Sequence, residues 1–104
     1  LETTVVLVAG EFGSTPRLNA ADGRDHWPHA FSCLVGGGGI RGGVVIGETD
    51  GAGLKKEPAD PIGLDDLSAT VLTALGLDPT REIDSADGRP IWAATPKTAR
   101  VLRL

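Results

Sequence analysis

The sequence holds one cysteine, Cys33, among 104 residues. A single thiol excludes an internal disulfide, and no Cys-x-x-Cys pair offers a zinc site. Cys33 sits in the apolar run 30–35, where a free thiol is expected to act as a small buried hydrophobe. No stretch approaches the ~18 apolar residues that a membrane helix needs. Basic excess is also missing: fourteen acids outnumber ten bases for a net charge of −4, which excludes a basic nucleic-acid footprint. The one cationic run, Lys97, Arg100 and Arg103, is interleaved with Val101, Leu102 and Leu104. That pattern predicts one face of a short C-terminal helix rather than an RNA-binding arm.

What the chain has in quantity is glycine, 15 residues against 7 prolines. Together they stay under the ~25–30% at which low-complexity disorder is the better expectation. The length predicts one domain or part of one. Free-standing, a chain of this size should bury about 65% of its unfolded surface.

Residues 3–9 form a continuous run rich in Thr and Val, closed by Gly10. Such runs predict a strand buried on both faces, as in parallel sheets covered by helices. This strand begins almost at residue 1, as expected of a piece of a longer protein. Residues 31–35 read as a second buried strand, and 43–47 as a short third one. Between the first two lies a loop of about twenty residues, 10–29, a length at which loops are usually functional or disordered. It leaves the carboxyl end of a strand, where open α/β sheets place their ligands. Farther along, Leu64, Leu67, Val71 and Leu75 recur at helical spacing, with Leu72 widening the stripe. Asp65 or Asp66 is expected to cap that helix and Gly76 to end it in the C′ position. Asp87-Gly88-Arg89-Pro90 predicts a turn, followed by Ile91-Trp92 and a tail helix.

Gly37, Gly39 and Gly42 fit G-x-G-x-x-G formally, but a dinucleotide site needs a helix there. A strand-like run, Val44-Val45-Ile46, follows instead, so the glycines are expected to make a bend without a nucleotide. The loop 10–29 is the better candidate for chemistry. It holds Glu11, Arg17, Asp22, Arg24, Asp25, His26 and, close behind, His29. Carboxylate and imidazole are ordinary ligands of divalent cations, and arginine presents a fork of donors suited to phosphate or sulfate. A solvated turn would also account for these residues.

Three stretches together carry a resemblance. They are Val8-Ala9-Gly10-Glu11-Phe12-Gly13-Ser14-Thr15-Pro16-Arg17-Leu18-Asn19, Gly23-Arg24-Asp25-His26-Trp27-Pro28, and the run 36–43. In this order they resemble the DUF1501 family, relatives of the sulfatases and alkaline phosphatases, over nearly the whole chain. The resemblance implies an α/β protein: 1–104 would be the C-terminal part of an alkaline-phosphatase-like three-layer α/β/α sandwich with a mostly parallel sheet. It implies a metal-dependent hydrolase of sulfate or phosphate esters whose nucleophile lies outside these residues. A divalent ion (Zn, Mn, Ca or Mg) would be held by Glu11, Asp25 and His26, and Arg24 would bind the ester's oxyanion. The implied partner is a small-molecule or glycan ester, and an extracytoplasmic home is an expectation from the same likeness. Phe12 stands where the wider superfamily has a metal-binding His, and it is expected to face the core. The alternative is a non-catalytic relative that binds an anionic glycan or a protein partner in the same place.

Overall fold

The structure, a computed structural model, describes residues 1–50, 57–94 and 99–102. In chain order it contains β1 (Val5–Ala9), β2 (Gly13–Ser14), β3 (His26–Trp27), β4 (Cys33–Gly37), α1 (Leu64–Ala74), β5 (Glu82–Asp84) and β6 (Pro90–Trp92). Internal contacts divide the chain into two units. One comprises Leu1–Val5, Gly36–Val44 and Ile62–Leu104, the other Val6–Val35 and Val45–Pro61.

Among the described residues the strands pair two by two, β1 with β4, β2 with β3 and β5 with β6. The last two pairs are antiparallel. At the β1–β4 pair, Gly38 N donates to Thr4 O at 2.9 Å, so the beginning of β1 meets the end of β4, as in antiparallel neighbours. This corrects the expected mostly parallel sheet in a three-layer α/β/α sandwich. The Thr- and Val-rich run does form a strand, yet Val6, Leu7 and Val8 are 38%, 44% and 59% exposed. A β-branched run specifies extended backbone; it does not supply the layers that would cover it. Cys33 at the start of β4 is likewise exposed, against the expectation of a buried thiol.

The glycine run after β4 makes the expected bend, and close approach explains its composition. A Cβ on Gly37 would fall 1.9 Å from Thr4 O, and Gly37 itself has φ of 108°. No side chain fits there, so the strands can touch only through glycine. The third strand expected at 43–47 does not form. Gly43 and Gly47 both have φ of 76°, which breaks an extended run, and among the described residues an isolated bridge between Glu48 and Ala59 follows.

Helix α1 begins after Gly63 rather than at an aspartate cap. Asp66, three residues in, accepts from Gly63 N at 3.1 Å, so its carboxylate serves the first turn from inside the helix. The other end follows the sequence closely. Gly76 N donates to Thr73 O and Leu77 N to Leu72 O, both at 2.9 Å, with Gly76 at φ of 77°. These two bonds define a Schellman stop.

The buried side of α1 is Asp66, Leu67, Ala69 and Thr70. Leu67 belongs to the expected stripe, whereas Leu64 is 66% exposed and Leu75 is exposed as well. At 100° per residue the buried face is turned roughly 120° from the leucine stripe. The cause is the segment 99–102, which packs on that side without forming a helix. Arg100 N donates to Asp66 Oδ1 at 2.6 Å and Leu102 N to Thr70 Oγ1 at 2.9 Å. Thr70 Oγ1 in turn donates to Asp66 O at 2.7 Å. Residues 99–102 are therefore not the tail helix expected. Lys97 and Arg103, also assigned to it, lie outside the described residues. The turn at 87–90 forms as expected and closes the β5–β6 hairpin. Ser85 N donates to Arg89 O at 2.9 Å, and Arg89 Nε donates to Asp87 Oδ2 at 2.7 Å.

Candidate functional site

The loop 10–29 is ordered by its own hydrogen bonds, which short polar residues at turn positions supply. Its ends meet in the β2–β3 ribbon, Gly13 opposite Trp27 and Ser14 opposite His26. One step inward, Thr15 N donates to Asp25 O at 3.0 Å, and Asp25 N donates to Thr15 Oγ1 at 3.1 Å. At the tip, Asn19 Oδ1 accepts from Ala21 N and Gly23 N, each at 3.0 Å. Asn19 Nδ2 then donates to Asp25 Oδ1 at 2.9 Å. One asparagine thus folds the tip and ties it to the returning strand.

Each residue singled out from the sequence has a definite place in this loop. Glu11 precedes β2 and is exposed. Arg24 Nη1 donates to Thr15 O at 2.6 Å and to Pro16 O at 2.8 Å. Asp25 has one oxygen on Asn19. His26 opens β3, and its ring lies 4.0 Å, centroid to centroid, from that of Phe12, tilted by 34°. Phe12 therefore packs on the imidazole and remains 39% exposed, rather than facing a core.

The structure thus brings together Arg24, Asp25 and the Thr15 turn, and separately Phe12 with His26. Glu11, Asp25 and His26 have the donor chemistry for a divalent ion. Among the described residues, however, no group of three or more His, Cys, Asp or Glu side chains gathers closely enough to hold one. They do not amount to a complete ligand set by themselves.

An open depression of about 270 Å³ lies on this loop, and its lining adds Asn19 and Trp27 to charged residues already named from the sequence. Arg17, Asn19, Asp25 and Trp27 line it, with Thr15 and Leu18. Trp27 is half-buried and meets His29 edge-on, their centroids 4.8 Å apart, which limits its rotation. The signal in the sequence is a tryptophan in a turn-rich loop that also carries an arginine without an assigned role.

The described residues thus form short strand pairs and one helix, with an ordered polar loop that carries a shallow depression. The chain belongs to the DUF1501 family, a protein family of unknown function whose pattern matches residues 1–103. No curated protein and no solved structure matches it.

Proposed function

We propose that this chain recognises an anionic glycan through the depression on the loop 10–29. The supporting observation is its lining, with Trp27 beside Arg17, Asn19 and Asp25. An indole face suits the apolar side of a sugar ring. The carboxylate and amide suit its hydroxyls, and a guanidinium suits a sulfate or carboxylate substituent. A shallow, open site fits a sugar at a chain surface better than a small metabolite, which would need deeper enclosure. Calorimetric titration of the full polypeptide with a sulfated tetrasaccharide and its desulfated counterpart tests this. Saturable binding of the first, at least tenfold tighter than the second, is expected. Equal binding of both, or of neither, would contradict the reading.

A second reading, metal-dependent hydrolysis of a sulfate or phosphate ester, is supported by the exposure of Glu11, Asp25 and His26 on one ordered loop. Within it, these three would contribute ligands to a divalent ion completed by groups outside the described residues, and Arg24 would contact the oxyanion. A nucleophile would also have to come from elsewhere. Metal analysis of the full polypeptide and its His26→Ala variant separates the two readings. The hydrolase reading requires bound metal that falls at least tenfold in the variant, and the glycan reading requires none.

A further inference from the structure

The loop holds two arginines, and the structure gives them different surroundings. Arg17 lines the depression. Arg24 turns Nη1 onto the carbonyls of Thr15 and Pro16, at 2.6 and 2.8 Å. Those two carbonyls immediately precede Arg17, and the next one, Arg17 O, accepts from Thr15 Oγ1 at 2.9 Å. The same Thr15 exchanges two hydrogen bonds with Asp25. Three successive carbonyls of the segment 15–17 are thus held by side chains within the loop.

We propose that Arg24 is a positioning residue that fixes the 15–17 turn and so aims Arg17 at the anionic group of the ligand. The consequence for binding rests on the glycan reading; the effect on the turn does not. A guanidinium donating to two consecutive carbonyls sets the direction in which the chain leaves Pro16. Because Pro16 has its own φ fixed by its ring, little freedom remains before Arg17. The charge on Arg24 neutralises no ligand group and serves only to strengthen these bonds.

Three variants of the full polypeptide test this, Arg17→Gln, Arg24→Gln and Arg24→Lys, each read in two ways. The first readout is the backbone amide shifts of Thr15, Arg17 and Asp25 without ligand. Arg24→Gln should move them, Arg24→Lys should largely restore them because one ammonium can serve both carbonyls, and Arg17→Gln should leave Thr15 and Asp25 in place. The second is affinity for a sulfated tetrasaccharide across a salt series. Arg17→Gln should weaken binding roughly tenfold and flatten its salt dependence, since a charge on the ligand is lost. Arg24→Gln should weaken binding while keeping the wild-type salt slope. Unmoved amide shifts in Arg24→Gln, or a salt slope reduced as much as in Arg17→Gln, would overturn the proposal. If the wild type binds no sulfated sugar, the glycan reading fails, and the ligand-free shifts alone still decide the role of Arg24.

Discussion

Asp66 and Thr70 show how much two side chains can decide. Both are buried on α1, and each accepts a backbone N–H from the segment 99–102. The Arg100 N–H is the chief reason the Asp66 carboxyl is held below its ordinary 3.8, with Gly63 N–H and the Arg100 side chain adding to it against the opposing effect of burial. A depressed carboxylate contributes stability that is complete above the unfolded value and is lost as pH falls through the folded value. Acid unfolding followed by α-helical circular dichroism should therefore fall off below pH ~3.8 in the wild type. In Asp66→Asn that part of the pH dependence should disappear. Thr70→Val keeps the shape but leaves the Leu102 N–H without its acceptor. A loss of about 1–3 kcal/mol in urea unfolding is expected, with faster exchange at the Leu102 amide. Neither role was legible beforehand. Asp66 suggested a helix cap because capping is local, whereas its partner lies 34 residues away in a tail whose pattern suggested a helix.

At the scale of elements, what depends on neighbouring residues was legible and what depends on distant ones was not. The Gly76 stop, the 87–90 turn and the existence of β1 and α1 all follow from local pattern. The parallel neighbours assigned to β1 and the buried leucine face of α1 required knowing what packs against them, and both differ in the structure. Within the candidate site, charged residues drew attention by type, yet Trp27 and Asn19 do as much to shape the depression. The β2–β3 ribbon was hidden because each strand has only two residues, too few for any periodicity. Gly13 lets the backbone just after the ribbon come close, since a Cβ there would lie 1.9 Å from Ala30 O and 3.3 Å from Trp27 O. Gly13→Ala must displace the backbone, and a destabilisation of at least about 1–3 kcal/mol is expected. Gly23→Ala, whose Cβ would meet Asn19 Oδ1 at an ordinary 3.6 Å, should cost less than about 0.5 kcal/mol. Comparing the two by thermal unfolding checks the ribbon without reference to any ligand.

The whole molecule exposes more surface than its mass leads one to expect. Its accessible area is 7836 Å² for 10.7 kDa, against about 5,500 Å² for a folded monomer of that mass. It therefore buries about half of its unfolded surface rather than the ~65% expected from length. Among the described residues the buried apolar side chains are Leu67, Ala69 and Ala94, while Leu34 is 64% exposed. A polypeptide of these 104 residues should accordingly bind a dye that fluoresces on apolar surface, and Val8→Asp with Leu34→Asp should reduce that signal. Such surface changes are expected to shift stability by no more than about 0.5 kcal/mol each. No helix among the described residues is long and apolar enough to cross a membrane, so a spanning helix does not explain this exposure. The central claim concerns the loop, and its most direct measurement is the amide and indole NMR spectrum of the full polypeptide titrated with a sulfated tetrasaccharide. Saturable shifts of the Trp27 indole N–H and of the amides of Arg17, Asn19 and Asp25, with Trp92 unmoved, are predicted. Shifts centred on other residues, or none at concentrations where binding is measured, would contradict the account.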